Sequence, residues 1–130
     1  MTEEIEAELN VAREALLESE QLQKAGLLRG AGSRIYFSIF HAASAALLAE
    51  GKRCGSHKET IATFGLVFAK TRRLDPKYHR YLIDAEDFRE EADYVTTLPV
   101  SAERVAELVT KAREFLTCVE DFLQGEWRQE

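Results

Sequence analysis

A chain of 130 residues that is 45% apolar and 31% charged holds enough apolar material for one folded domain, and is too short for two ordinary ones. That balance excludes a disordered tail, and a net charge of −6 argues against indiscriminate nucleic-acid binding. The acidic start, MTEEIEAE, is the reverse of a signal peptide, and no apolar stretch approaches the ~20 residues of a membrane span, so the expected location is the cytoplasm with no membrane contact.

Apolar residues recur every three to four positions and no strand-like alternation appears, which predicts helices throughout. The first helix covers about 3–25, with Ile5, Leu9, Ala12 and Leu16 on one face, and stops near Gly26. The second covers about 31–50 and ends at Gly51. The third opens at SHKE, where Ser56 and Glu59 have capping-box spacing, and runs to about Arg72. The fourth opens at DPK with Asp75 as N-cap and Pro76 in the first turn, and its stripe is Tyr78, Leu82, Ala85, Phe88 and Ala92. The fifth follows Pro99 with Ser101 as N-cap, and Val105, Leu108, Ala112, Phe115, Val119 and Phe122 form its seam. Short links between long amphipathic helices give an all-α, up-and-down bundle of four to five antiparallel helices, in one domain over 1–130.

The second helix stands apart because Ile35, Tyr36, Phe37, Ile39, Phe40, Leu47, Leu48 and several alanines make it apolar nearly all round. Such a helix belongs at the centre of a bundle or in a subunit interface, which suggests a homodimer. Its one polar stripe is Arg34, Ser38 and His41, confined to an arc of about 60°. Unpaired charge is expensive to bury, so Arg34 and His41 are either a site or a structural pair. On the fourth helix Arg89 falls on the apolar stripe with Asp93 four residues on, a spacing that fits a partly buried ion pair with Tyr94 beside it. His57 and Lys58 open the third helix, where backbone N–H groups and the helix dipole favour an anion; a plain solvated helix start is the alternative.

Charge is segregated along the chain. Residues 1–28 carry two basic and seven acidic side chains, residues 29–89 eleven and six, and residues 90–130 four and ten. The middle also holds all three histidines, so a local basic surface for phosphate is compatible with the acidic total. The other reading is that the acidic ends pair with the basic middle. Cys54 and Cys118 lie far apart with no metal-ligand spacing, which predicts free thiols, no metal and no cofactor.

Three segments in order, SRIYFSIFHAASAALLAEG, SHKETIATF and FREEADY, resemble the HEPN superfamily of small helical proteins. The branch in question has an R-x-Y-Y/F-x-x-F-H-A second helix and an R-x-x-A-D-Y fourth helix. The resemblance implies a helical bundle, usually a homodimer, often paired with a minimal nucleotidyltransferase in a toxin–antitoxin or nucleotide-handling system. It also implies that many relatives are metal-independent ribonucleases, with an Arg and a His brought together across the dimer. In such a site His exchanges a proton with a ribose hydroxyl or leaving oxygen and Arg grips the phosphate. This sequence departs from that pattern on the fourth helix. Arg89 is present and Tyr94 lies near, but no His stands between them, and Asp93, an acceptor that repels phosphate, is there instead.

Two functions follow as expectations. One is a binding module for a nucleotide, RNA or a nucleotidyltransferase partner, with His57, Lys58, Arg89 and Tyr94 as candidate phosphate contacts. The other is a divergent ribonuclease that uses Arg34 and His41, spaced R-x6-H on the second helix, as candidate catalytic groups at a dimer interface.

Overall fold

In the computed structural model, which describes residues 1–97 and 99–128 (side chains as far as 125), five α-helices follow one another and no strand occurs among the described residues. They are α1 (Glu3–Lys24), α2 (Leu28–Ala49), α3 (His57–Phe64), α4 (Lys77–Tyr94) and α5 (Ala102–Arg128). The chain is the expected all-α bundle.

Helix ends follow the local chemistry. The Thr2 hydroxyl accepts from Ile5 N–H at 3.2 Å to start α1, and Ser56 and Ser101 accept from Glu59 N–H (3.1 Å) and Arg104 N–H (3.2 Å) to start α3 and α5. Gly26 (φ 76°) and Gly51 (φ 73°) end α1 and α2 in the left-handed conformation that glycine adopts without steric cost. Behind each, the next residue closes a six-to-one bond, Leu27 N–H to Leu22 C=O and Lys52 N–H to Leu47 C=O, both 2.9 Å.

Three boundaries differ from expectation. The turn at Gly26 is so tight that α2 begins at Leu28 rather than near residue 31. The expected third helix does not continue to Arg72. It ends at Phe64 and passes into a π-helical turn, Gly65–Ala69, before the chain reverses at Arg72 with φ 58°. The backbone at Gly65 lies against the His79 imidazole, where a Cβ would sit 2.6 Å from a ring carbon, and the same ring reaches Ile61 C=O at 3.0 Å through Nε2. Finally, Pro76 rather than Asp75 occupies the cap position of α4, although the Asp75 carboxylate still accepts from Lys77 N–H at 3.0 Å.

α2 is the centre of the bundle and packs against α1, α3, α4 and α5. Ile35, Tyr36, Ile39 and Leu47 meet Leu9, Phe64, Phe68, Leu82 and Phe115, all almost fully buried, each burial worth about 1.5–3 kcal/mol. Ala42, Ala43, Ala45 and Ala46 are buried as well and let neighbouring helices approach closely. Much of the apolar surface of α2 is therefore covered within one chain, while Phe37, Phe40 and Leu48 stay partly exposed.

Candidate functional site

The polar stripe of α2 faces α1. His41 Nδ1 lies 2.5 Å from a Glu8 carboxylate oxygen, the Ser38 hydroxyl donates to Ala12 C=O at 2.8 Å, and Arg34 stands 3.7 Å from Glu18. Partners rising along α2 fall along α1, the register of an antiparallel hairpin pivoting on Gly26. Arg34 and His41 are thus not paired with each other; each has its own carboxylate on α1. The Arg34 guanidinium also sits 4.4 Å from the Phe37 ring centre, and the His41 ring is 4.4 Å from that ring and 5.2 Å from Phe40. Glu8 holds His41 through one ring nitrogen and leaves the other for chemistry or binding.

A second polar group joins α2, α3 and α4 around Tyr36. The Tyr36 hydroxyl lies 3.1 Å from His57 Nδ1, and the Arg89 guanidinium lies 5.1 Å from the centre of the Tyr36 ring. Arg89 donates to Glu86 at 2.9 Å and reaches Asp93 at 3.4 Å, so its main partner is three residues behind it. Burial, with the Glu86 carboxylate beside it, pushes the Tyr36 hydroxyl well above its ordinary range. Burial alone would raise Glu86 too, but hydrogen bonds from Arg89 and its neighbours outweigh it and hold the carboxyl below the usual range. The Glu86 carboxylate raises Glu90 in turn, and Arg89 is held firmly charged by its bond to Glu86. Among the described residues, one Glu86 oxygen and the Arg89 Nε are buried with no hydrogen-bond partner.

His57 connects this group to a cleft of about 260 Å³ between the start of α1, the second half of α2 and the start of α3. The Phe40 ring, 4.2 Å from the His57 ring, forms one wall, and Leu47 and Leu48 add apolar surface. Glu4, Glu8, Lys52 and Arg53 supply charge around it. Arg53 and Glu4 close on each other in a two-pronged pair at 2.5 Å, whereas Lys52 has no ion-pair partner among the described residues.

The candidates thus fall into separate places. Arg34 and His41 lie on the α1-facing stripe, His57 at the cleft, and the partly buried Arg89 against Tyr36. Lys58 is exposed outside the cleft lining, and Tyr94 is 74% exposed at the end of α4. His57 and Arg89 are brought together only through Tyr36. Sequence reasoning missed Glu8, Glu18, Tyr36, Glu86 and Lys52. Glu18 was within reach, since Glu18 and Arg34 each lie eight residues from Gly26 and so face each other across the hairpin. The acidic N-terminal segment does pair with the basic middle, through Glu4, Glu8 and Glu18. Cys54 and Cys118 are free thiols. Among the described residues no three His, Cys, Asp or Glu side chains are grouped to hold a metal, and no helix is long and apolar enough to cross a membrane.

The fold is a helical bundle whose central helix carries one polar stripe and sets the buried Tyr36 against the partly buried Arg89 and the exposed His57. Residues 5–122 match the HEPN domain. The chain is 31% identical over 120 residues to "Putative toxin MJ0142" of Methanocaldococcus jannaschii, covering 92% of this chain and 82% of that one. It is 30% identical over 113 residues to a "UPF0332 protein" of Thermotoga maritima, covering 87% of this chain and 86% of that one. To "UPF0332 protein glr0978" of Gloeobacter violaceus it is 32% identical over 124 residues, covering 95% and 98%. The chain belongs to the HEPN family.

Proposed function

We propose that this HEPN protein is the helical member of a toxin–antitoxin-type pair and acts by binding a nucleotide, RNA or a nucleotidyltransferase partner, as a homodimer, without cleaving RNA itself. The observation that carries this reading is the state of its cationic candidates. Arg34, His41 and Arg89 each face a carboxylate of the same chain, Glu18, Glu8 and Glu86 respectively. A group that must grip a phosphate in a transition state gains little when a carboxylate already neutralises it. The toxin name of one relative supports the context, and the absence of a His between Arg89 and Tyr94 supports binding over cleavage.

One observation favours a second reading, a divergent ribonuclease. A carboxylate on Nδ1 of a histidine is the arrangement that orients a general base, and Glu8 stands in that place on His41. Arg34 and His41 flank the Phe37 ring, each 4.4 Å from its centre, and each is held by its own α1 carboxylate, so in this reading a second subunit completes the composite site.

Incubation of the purified chain with single-stranded RNA in the presence of a chelator separates the two. The binding reading expects a shifted but intact RNA. Metal-independent cleavage, lost in a folded His41→Ala protein, would establish the second.

A further inference from the structure

The Tyr36 side chain is 1% exposed, so its hydroxyl has to find its partners inside the protein. Two are at hand. His57 Nδ1 lies 3.1 Å away on α3, and the Glu86 carboxylate stands beside the hydroxyl from α4. We infer that Glu86 and Tyr36 form a relay that fixes neutral His57 with its proton on Nδ1. Its Nε2 then keeps a lone pair, which makes His57 the proton-accepting group of the cleft, suited to a neutral hydroxyl or N–H donor.

The relay follows from counting protons. A phenol has one to give. Given to His57, it would place the ring's own proton on Nε2 and leave the buried Glu86 Oε2 with no donor. Given to Glu86, it meets an ionised acceptor, the stronger kind of hydrogen bond, and His57 Nδ1 then donates to the phenol oxygen. This second arrangement satisfies the Glu86 oxygen, the hydroxyl and Nδ1 together. Glu86 is kept ionised because Arg89 donates to its other oxygen at 2.9 Å. Arg89 and Glu90 act on the hydroxyl in opposite senses, and burial beside Glu86 makes Tyr36 hold its proton. Rings fix the orientation: Phe40 lies 4.2 Å and Tyr36 5.6 Å from the His57 ring centre. Nε2 has no hydrogen bond among the described residues, and His57 lines the cleft. A lone pair there accepts, so neutral His57 repels a phosphate oxygen rather than gripping it, contrary to its expected role as a phosphate contact. Tyr36 and Glu86 are positioning residues in this scheme. It holds for a chain that only binds and for one that cleaves.

The protein carries its own references for a test. His79 Nε2 lies 3.0 Å from Ile61 C=O, which only accepts, so that neutral ring is protonated on Nε2. His41 Nδ1 faces the Glu8 carboxylate, so that ring is protonated on Nδ1. Long-range proton–nitrogen NMR on the labelled chain at about pH 9, above the ordinary histidine range, tells protonated from lone-pair ring nitrogens. His57 should match His41 and not His79. Glu86→Gln has a single acceptor oxygen, which Arg89 claims, so its amide turns an N–H to Tyr36 and the phenol proton passes to His57. In that variant His57 should switch to the His79 pattern. Tyr36→Phe keeps the packing and removes the relay, and should also move His57 towards Nε2–H, the form an unconstrained imidazole prefers. Acylation of His57 by diethyl pyrocarbonate, which needs the Nε2 lone pair, should slow about fivefold or more in Glu86→Gln while that of His41 is unchanged. Wild-type His57 protonated on Nε2 would overturn the inference without any variant. An unswitched His57 in Glu86→Gln, with His41 and His79 signals in place to show an intact fold, would overturn it as well.

Discussion

His41 and Arg34 share one helix face, yet they should respond differently to truncation. The Glu8–His41 contact is 2.5 Å between side chains 28% and 19% exposed, while Arg34 is 3.7 Å from a Glu18 that is half exposed. A short, partly desolvated hydrogen bond is worth more than a loose ion pair in water. His41→Ala should therefore cost about 1–3 kcal/mol in urea unfolding, for the lost bond and the lost packing on Phe37 and Phe40. Arg34→Ala should cost less than about 1 kcal/mol. Equal losses in the two variants would show that the 2.5 Å contact carries no special weight. The stripe itself was legible in the sequence because helical periodicity places Arg34, Ser38 and His41 on one face. Their partners were not, since Glu8, Glu18 and the Ala12 carbonyl come from another helix and periodicity within α2 says nothing about what lies opposite. The same limit hid Tyr36, which reads as a core aromatic until His57 and Arg89 are seen beside it. Arg89 shows the opposite case: its local pairing with Asp93 was visible, but the closer partner, Glu86, lies three residues back, where only the rotamer decides between them.

Helices were readable where their ends carry chemistry of their own. Ser56, Ser101, Gly26 and Gly51 act at the positions their residue types indicate, because capping is a local matter. The end of α3 was not readable, since the chain passes without a stop signal into a π turn at Gly65, where a Cβ would lie 2.6 Å from the His79 ring of α4. Gly32 tests this kind of close approach. In a helix interior, Ala is favoured over Gly by about 1 kcal/mol on propensity alone. At Gly32, however, a Cβ would sit 2.5 Å from a ring carbon of Phe88, which is 5% exposed and has nowhere to go. Gly32→Ala should be net destabilising by about 1–3 kcal/mol, the cost of overpacking, and thermal unfolding would read it as a lowered midpoint. A midpoint at or above that of the wild type would mean Phe88 can swing away. The α4–α5 contact makes a separate prediction. Glu114 accepts from Tyr81 at 2.6 Å and from Lys77 at 3.1 Å, and these two donors hold its carboxyl below the ordinary value near 4.5. A carboxyl lowered on folding adds stability that is present above that ordinary value and disappears as pH falls through the lower folded value. Urea midpoints measured from pH 6 down to about 3 should fall less steeply in Glu114→Gln than in the wild type. Identical slopes would place the acid sensitivity elsewhere, with Glu86 the next group to examine.

At the scale of the molecule, the question is whether one copy is the working unit. The sequence pointed to a second copy because α2 is apolar on nearly every side; α1, α3, α4 and α5 cover most of it within one chain and leave Phe37, Phe40 and Leu48 partly exposed. Among the described residues the large apolar side chains left most exposed are Leu17 at 63% on α1, Leu27 at 58% in the following turn, Leu66 at 61% in the π turn, and Tyr94 at 74% at the end of α4. Isolated exposed apolar residues are normal on any surface and do not by themselves define an interface. The argument for a dimer therefore rests on the family and on chemistry. Arg34 and His41 of one chain are each held by their own carboxylate, and in the ribonuclease reading a neighbouring copy supplies the second cation at a phosphate lying against His41. Light scattering at micromolar concentration should give about twice the 14.7 kDa of the chain if the homodimer proposal holds. A mass of one chain across all concentrations would remove the ribonuclease reading, which depends on a composite site. It would leave the cleft between α1, α2 and α3 intact, since Phe40, Glu8, Lys52 and His57 all come from a single chain.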